Sequence, residues 1–299
     1  MRIAAISDLH IRPDGSDDDF LTAIRQRLEV ISPDVFVIAG DISDNIAVVE
    51  KTLSAIKLSN AENLYVAGNH DIWFEKEKGI GSLEKYSRFI GDACTNAGFH
   101  HLPDEPFIKD NVAFVGSLGW YDYSFRRDEL NIPEESYLEK EWQGSYWRDY
   151  YTVDLEYTDR EFTELLNSKL EYDLSALPEN IETVIYISHH LPFGALTPYK
   201  DSLPWDFFSA FMGAESTGEI LLNDERVKLS ISGHSHVRRQ IFLDGLLAVT
   251  VPVGYGRPEN DDFTSLVHDG IAELELTDGK CKVHHYVDGD ICEGLPYAF

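Results

Sequence analysis

Cysteine is scarce in this chain of 299 residues, which contains only Cys94, Cys281 and Cys292. Their odd number and wide separation favour neither a disulfide framework nor a cysteine-based zinc site, so we expect a reducing compartment, the cytoplasm. Long apolar runs are also missing, since no stretch approaches the roughly 18 residues that a membrane span requires. The short apolar run after Met1 lacks the length and the cleavage site of a signal peptide. These absences predict a cytoplasmic enzyme or binding protein without a membrane segment.

Basic residues are few as well. The chain has 25 lysines and arginines against 53 acidic residues, a formal net charge of −28. Affinity for nucleic-acid backbones rests mainly on Lys and Arg, so extended nucleic-acid binding is disfavoured. A small phosphoester remains compatible, because bound metal cations supply local positive charge. The sequence also lacks a G-x-S-x-G elbow, a P-loop, a dinucleotide fingerprint and zinc-finger spacing, and no covalent nucleophile is evident.

The chain does have enough apolar residues for a large core, at 43% hydrophobic and 26% charged. We expect one domain over residues 1–299, with an insertion or cap at residues 119–157. The first hundred residues alternate strand and helix patterns, and this order predicts parallel strands with crossover helices. The predicted strands are residues 2–7, 35–39 and 63–67, and the predicted helices are residues 17–30, 45–58 and 83–97.

Hairpin patterns dominate the remainder, where a second, mostly antiparallel half of a core sandwich is expected. Asp110-Asn111 turns between strands at 107–109 and 112–116, and further hairpins are predicted at 239–251 and 271–287. Between them we predict helices at 158–170 and 215–223 and strands at 184–187 and 227–232.

Residues 119–151 are crowded with aromatic side chains, interleaved with Arg126, Arg127 and Arg148. One interpretation is a cap whose rings stack a flat group while an arginine contacts phosphate. The other, which we favour, is a satellite core beneath an insertion, because aromatic residues dominate core burial. The candidate substrate contacts are Trp73, Trp120, Arg126, Arg257 and His190.

Five short polar motifs each follow an apolar run that predicts a strand. They are Asp8-Leu9-His10, Gly40-Asp41, Gly68-Asn69-His70-Asp71, Ser188-His189-His190 and Gly233-His234-Ser235-His236. Each motif alone has an ordinary explanation as a turn, a cap or a surface loop. Together, five strands that end in oxygen and nitrogen donors indicate one metal centre at one edge of a sheet.

The chemistry of these donors points to transition metals. Asp8 and His10 project to the same side of an extended chain, and the Asp41 carboxylate can bridge two cations. Carboxylate, amide and imidazole ligands without cysteine suit Mn²⁺, Fe or Zn²⁺ better than Ca²⁺. Two cations need about eight contacts, which seven residues supply when Asp41 is counted twice.

This pattern, D-x-H, G-D, G-N-H-D/E, H and G-H-x-H over residues 8–236, resembles the calcineurin-like metallophosphoesterase superfamily. The resemblance implies an α/β fold, a four-layer α/β/β/α sandwich of two mixed sheets flanked by helices. It assigns one divalent metal to Asp8, His10, Asp41 and His236, and the second to Asp41, Asn69, His189 and His234. It also implies that His70 meets the phosphoryl group or leaving oxygen and that Asp71 orients His70. His189 is preferred to His190 as the ligand because it comes first after the strand.

The predicted activity is hydrolysis of phosphoesters by in-line attack of a hydroxide that bridges two divalent metals. The substrate would be a small-molecule or nucleotide phosphodiester or phosphomonoester, or a phosphoprotein. A nuclease of the same superfamily is one alternative, although the acidic charge opposes it. A binding scaffold without catalysis is another, but a scaffold is expected to lose ligands or His70, and here all are present.

Overall fold

The computed structural model describes residues 1–258, 262–287 and 289–290. Two six-stranded sheets pack face to face through an apolar layer that includes Val37, Leu64, Ile187 and Ile231. Helices cover the outer face of each sheet, as two further apolar clusters show. The predicted four-layer α/β/β/α sandwich is therefore confirmed. Among the described residues, none of the helices combines the length and apolar character needed to cross a bilayer.

The strands are, in chain order, β1 (Arg2–Ile6), β2 (Val35–Ala39), β3 (Glu62–Val66), β4 (His100–His101), β5 (Phe107–Lys109), β6 (Val112–Ser117), β7 (Glu141–Trp142), β8 (Ser145–Tyr146), β9 (Thr183–Ser188), β10 (Val227–Ser232), β11 (Val237–Arg238), β12 (Gln240–Leu243), β13 (Leu246–Thr250), β14 (Ala272–Thr277), β15 (Lys280–His285) and β16 (Gly289–Asp290). The helices are α1 (Asp18–Ile31), α2 (Ile46–Ile56), α3 (Asn69–Ile72), α4 (Ser82–Glu84), α5 (Ile90–Ala97), α6 (Glu134–Leu138), α7 (Asp149–Thr152), α8 (Asp159–Ala176), α9 (Trp205–Phe208), α10 (Glu215–Asn223) and α11 (Thr264–Gly270).

The first sheet has the order β15-β14-β1-β2-β3-β4. Strands β1 to β4 are mutually parallel, so the predicted parallel half is confirmed. Strand β14 is antiparallel to β1, and β15 is antiparallel to β14. Helix α1 buries Phe20, Ile24 and Leu28, which recur at helical spacing, against this sheet. The helix predicted at 83–97 is continuous in α4 and α5, which are joined by one turn of π-helix at Lys85–Phe89.

The second sheet has the order β12-β13-β10-β9-β6-β5. Its four central strands are mutually parallel, and only the edge strands β5 and β12 are antiparallel. The prediction of a mostly antiparallel half is therefore wrong. The hairpin of β14 and β15 also joins the first sheet rather than the second. Apolar alternation predicts a strand but does not encode its partner, and partners here are chosen by long-range packing.

Helix α8 extends to Ala176, beyond the predicted end at Leu170, because Leu170 and Leu174 both pack on the second sheet. The helix starts at a capping box in which Thr158 and Glu161 exchange side-chain hydrogen bonds with each other's backbone. Upstream of this helix, Trp120, Tyr123 and Tyr137 of the aromatic segment are buried in the core. These rings are core residues, as the favoured interpretation expects, but they lie in the same cluster as Phe20 and Leu53 of α1 and α2 and not in a separate satellite core. Residues 147–149 instead reach the functional site.

Candidate metal centre

Donor side chains from both sheets meet at the carboxyl ends of the parallel strands. Asp8 and Asp41 lie two residues after β1 and β2, and Asn69 follows β3. From the second sheet, His189 follows β9 directly and His234 lies two residues after β10. Because the two sheets pack face to face, these ends lie side by side, and the structure brings all seven predicted ligands together.

The backbone at the site is unusual. Five of the seven predicted ligands adopt positive φ angles: Asp8 (57°), His10 (45°), Asp41 (58°), His234 (68°) and His236 (51°). Residues other than glycine rarely enter this left-handed region, and such residues concentrate at functional sites because surrounding contacts must hold them there. The chain is therefore shaped to aim these side chains inward.

Two glycines explain why the motifs begin as they do. Gly40 has φ +88°, and a Cβ atom there would lie 2.6 Å from Nδ1 of His189. At Gly68 a Cβ atom would lie 2.1 Å from Oδ1 of Asp41. Both positions need glycine because the donor side chains pass directly over their backbone.

One group of donors consists of Asp8, His10 and His236. Nε2 of His236 lies 3.1 Å from Oδ1 of Asp8 and 3.1 Å from Nε2 of His10. The carboxylate of Asp8 is held from behind by the Ser7 hydroxyl at 2.5 Å and by the backbone N–H of His234 at 3.1 Å. These contacts leave its other lone pairs facing the two imidazoles.

A second group consists of Asp41, His189 and His234, with Asn69 beside them. Nε2 of His189 lies 3.1 Å from Nδ1 of His234, 3.2 Å from Oδ1 of Asn69 and 3.3 Å from Oδ2 of Asp41. Oδ2 of Asp41 is also 3.8 Å from Nε2 of His10. Asp41 thus lies between the two groups, the place of a bridging carboxylate.

The outer hydrogen bonds of the histidines suit ligation. Nδ1 of His189 lies 2.9 Å from the carbonyl oxygen of Ala39, and Nε2 of His234 lies 3.1 Å from that of Phe211. A carbonyl accepts only, so these ring nitrogens carry the protons, and the opposite nitrogens are left with lone pairs facing the centre.

Burial and nearby charged groups shift the pKa values of the histidines and carboxylates at this site. Burial and neighbouring histidines hold the pKa values of His10, His70 and His234 well below their usual range, so these rings are neutral, the form that binds metals. Burial raises the pKa of Asp41, against the lowering effect of His189. Although burial opposes it, Asp41 raises the pKa of His189. The donors therefore fit two divalent metals.

His70 lies at the edge of the centre. Its ring stacks on Trp73 with centroids 3.7 Å apart, and its Nε2 is 3.9 Å from Oδ2 of Asp41. The hydroxyl of Tyr255 lies 3.1 Å from the same Nε2, and the Tyr255 ring stacks on His10 at 3.8 Å. Sequence reasoning missed Tyr255, although it lies between Gly254 and Gly256, directly before the candidate contact Arg257.

Asp71 does not have the position that the resemblance implies. Its carboxylate accepts hydrogen bonds from the backbone N–H groups of Gly68, Asp41, Ile42 and Ser43, at 2.7 to 2.9 Å. The carboxylate therefore ties the loop after β2 to the loop after β3 and does not orient the His70 ring.

Asp149 is a second residue that sequence reasoning missed. It is buried, and its carboxylate accepts hydrogen bonds from the Asn69 amide at 2.9 Å and from the indoles of Trp73 and Trp147 at 2.8 Å each. The Tyr121 hydroxyl donates a fourth at 3.1 Å. Burial raises the pKa of this carboxyl, and the donated hydrogen bonds oppose the shift. Only the fold shows this role, since Asp149 is 80 residues from Asn69.

A cleft of about 790 Å³, including space open to solvent, lies over the metal donors. Asp41, Asn69, His70, His234 and His236 form its floor. Its walls are largely apolar and comprise Trp73, Trp147, Trp205, Phe208, Met212 and Tyr255. Arg148 is the only lysine or arginine among the described residues that line it.

Of the predicted substrate contacts, only Trp73 lines this cleft. Trp120 is 1% exposed and donates its indole N–H to Asp159. Arg126 pairs with Asp128 at 2.8 Å in a separate depression. His190 is buried behind His234, with ring centroids 4.2 Å apart. These three residues are therefore not at the cleft.

Arg257 is also structural. Its guanidinium pairs with Asp17 at 2.9 Å, lies over the Phe20 ring and donates to the carbonyl oxygens of Leu9 and Gly254. It thereby joins the Asp8–His10 segment to the turn that carries Tyr255.

Comparisons with known proteins agree with this geometry. The chain is 24% identical over 267 residues to the [acyl-carrier-protein] phosphodiesterase PptH of Mycobacterium tuberculosis, covering 85% of this chain and 78% of that protein. The crystal structure of phosphopantetheinyl hydrolase PptH from the same organism superposes with a TM-score of 0.65, 21% identity and coverage of 85% and 89%. A dimetal phosphatase from Danio rerio superposes with a TM-score of 0.55, 14% identity and coverage of 96% and 99%.

The sequence profile of the calcineurin-like phosphoesterases matches residues 1–238, most of the chain and all of the metal donors. The chain belongs to the calcineurin-like phosphoesterases and is a hydrolase that uses two divalent metal ions to cleave phosphoester bonds.

Proposed function

We propose that this enzyme is a phosphodiesterase for small-molecule esters. In this proposal Asp8, His10, Asp41 and His236 hold one cation, and Asp41, Asn69, His189 and His234 hold the other. The position of Asp41 between the two donor groups, at the floor of the cleft, carries the proposal.

The protein's own residues orient the reaction. When bound, the two cations lower the pKa of a coordinated water and neutralise charge on the phosphoryl oxygens. His70 lies on the cleft floor beside Asp41, with its Nε2 turned to Tyr255, where the neutral ring can donate a hydrogen bond from Nε2–H to the departing oxygen. The apolar walls exclude water and so strengthen these charge interactions.

The names of the related proteins favour a phosphodiester over a phosphomonoester as the substrate of this enzyme. The protein from Mycobacterium tuberculosis is named a phosphodiesterase of acyl carrier protein and a phosphopantetheinyl hydrolase. A diester carries a single negative charge, which suits a cleft whose only lysine or arginine among the described lining residues is Arg148. A diester of the phosphopantetheinyl group with a small alcohol is thus the first substrate to add to the test.

Long nucleic acids fit less well. A net charge of −28 repels a polyanion, and the lone arginine of the described cleft lining does not form a basic channel. The free thiols of Cys94 and Cys281 support a reducing compartment, and we place the reaction in the cytoplasm. Cys292 lies outside the described residues.

The test uses metal-stripped protein with chromogenic mono- and diesters, 2′,3′- and 3′,5′-cyclic nucleotides and DNA ends, with Mn²⁺, Fe²⁺ or Zn²⁺ added back singly. We expect metal-dependent hydrolysis with a preference for diesters. Asp41→Asn should lower kcat by about three orders of magnitude and reduce the content of both metals, because metal ions contribute several kcal/mol to transition-state stabilisation. Asp19→Asn, on the exposed face of α1, is the matched control. Activity only on DNA ends, or full activity of Asp41→Asn, would contradict the proposal.

A further inference from the structure

The walls of the cleft offer a ligand little besides apolar surface, although three tryptophans line them. The indole N–H groups of Trp73 and Trp147 both donate to Asp149, at 2.8 Å. The indole of Trp205 donates to the carbonyl oxygen of Pro198 at 2.7 Å. All three polar atoms are therefore used within the protein, and a ligand meets the carbon surface of the rings.

The hydroxyls that line the cleft are mostly engaged as well. Ser209 donates to the carbonyl oxygen of Asp206 at 2.7 Å, and Ser235 donates to that of Val237 at 3.1 Å. Thr197 differs, because its hydroxyl oxygen is buried and has no hydrogen-bond partner among the described residues. A buried polar atom left without a partner is destabilising, so a ligand group that reaches Thr197 would satisfy it.

The buried carboxylate of Asp149, which lies behind the walls, adds no free polar group to the cleft. The Asp149 carboxylate already accepts four hydrogen bonds and is held beneath the indoles. The exposed Arg148 adds one positive charge. The cleft thus presents candidate metal donors at the floor, carbon surface along the walls, the charge of Arg148 and one buried hydroxyl without a partner among the described residues, that of Thr197.

We propose that this cleft is a subsite for an uncharged, largely apolar arm of the phosphodiester, with one hydrogen-bonding group placed at Thr197. The inference rests on the proposed function, since the metals would hold the phosphoryl end of the same molecule. A nucleobase fits poorly, because it carries several donors and acceptors on its edge, and beyond the Arg148 guanidinium and the Tyr255 hydroxyl shared with His70 the described wall offers only the Thr197 hydroxyl in return. A flexible arm of methylene and methyl groups fits, because each buried methylene contributes favourably to binding.

Non-hydrolysable phosphonates test this directly, because they carry one arm and no leaving group that competes for the cleft. We would titrate Zn²⁺-loaded protein with methyl-, propyl- and hexylphosphonate and with thymidine 5′-monophosphate, following tryptophan fluorescence. Three of the five tryptophans of the chain line the cleft. The expected Kd falls by up to about fourfold for each added methylene, and the nucleotide binds no tighter than propylphosphonate.

Substitutions in the cleft wall test whether the dependence of Kd on arm length arises there. Trp205→Ala should flatten the dependence of Kd on arm length, whereas Phe242→Ala, which removes an aromatic ring that is 71% exposed outside the cleft, should preserve it. Thr197→Val should weaken binding of an amide-bearing phosphonate by about fivefold relative to the alkyl phosphonate of equal length.

The outcomes separate the two proposals. If methylphosphonate fails to bind in a metal-dependent manner, the proposed function is contradicted. If methylphosphonate binds with the metals but Kd does not change with arm length, only the subsite is contradicted. Tighter binding of the nucleotide than of hexylphosphonate would also overturn the subsite.

Discussion

The carboxylate of Asp149 accepts a hydrogen bond from the side-chain amide of Asn69 at 2.9 Å. The amide nitrogen of Asn69 is thereby turned away from the metal centre, and its oxygen lies 3.2 Å from Nε2 of His189. The same carboxylate holds two tryptophans of the cleft wall. One buried acid from the aromatic segment therefore couples the orientation of a predicted metal ligand to the shape of the cleft.

Asp149→Asn is expected to weaken one of the two metal sites. The substituted amide places an N–H₂ group among four donors, so at least one hydrogen bond becomes a contact between two donors. Loss of such an orienting partner typically lowers metal affinity about 10- to 100-fold, and the site at Asn69 should be affected more than the site at Asp8. Metal stoichiometry after dialysis against a graded chelator measures this.

Asp173→Asn, a buried acid on α8 bonded to Lys169, is the control for general destabilisation. Retention of both metals with unchanged affinity in Asp149→Asn would show that Asp149 does not orient Asn69.

Asp71→Asn is expected to destabilise the fold. The carboxylate accepts hydrogen bonds from four backbone N–H groups, and those from Gly68 and Asp41 are the shortest, at 2.7 Å each. Hydrogen bonds to a charged group contribute about 1.5–3 kcal/mol each, so the free energy of unfolding should fall by at least about 3 kcal/mol. Denaturation of metal-free protein in urea measures this, with the exposed Asp19→Asn as the control that should change stability little. Unchanged stability of Asp71→Asn would contradict the structural role.

His70→Ala is expected to leave metal content nearly intact and to slow turnover. Loss of one hydrogen-bond donor to developing negative charge costs about 10²–10³-fold in kcat, and the loss should be greatest for esters with poor leaving groups, whose oxygen gains the most charge. The slope of log kcat against the pKa of the leaving group should steepen in the variant. If His70→Ala instead emptied the metal centre, His70 would be a ligand.

Asp17→Asn is expected to alter the pH dependence of stability. Burial raises the pKa of Asp17, but hydrogen bonds from Arg12 and Arg257 outweigh it and lower the pKa below 3.8. A carboxyl whose pKa is lower in the folded state than in the unfolded state stabilises the protein at pH values above the unfolded-state pKa. This stabilisation is lost as the pH falls through the folded-state pKa. The difference in Tm between wild type and Asp17→Asn should be largest near neutral pH and shrink below about pH 4. A difference independent of pH would contradict the pairing.

The order of the motifs allowed much of the centre to be predicted. Apolar runs such as Val35–Ala39 form strands, and polar residues directly after parallel strands meet at one sheet edge. The directions of β10 and β13 were not predictable from their own residues, because parallel and antiparallel strands share the same alternation. The predictions that Trp120 and Arg126 contact substrate were wrong for a related reason. The identity of an aromatic residue or an arginine in this segment does not encode whether its side chain faces the cleft, the core or the solvent.

The sequence by itself identified the seven side chains that meet at the sheet edge, because they lie in short motifs next to the strands that precede them. Its resemblance to the calcineurin-like phosphoesterases supplied the two-sheet α/β class and the phosphoester chemistry. Only the tertiary structure decided that Asp149 holds Asn69, that Tyr255 meets His70 and that Asp71 ties two loops together. These contacts join segments up to 185 residues apart, and their geometry arises only when the sheets, the loops and the aromatic segment pack together.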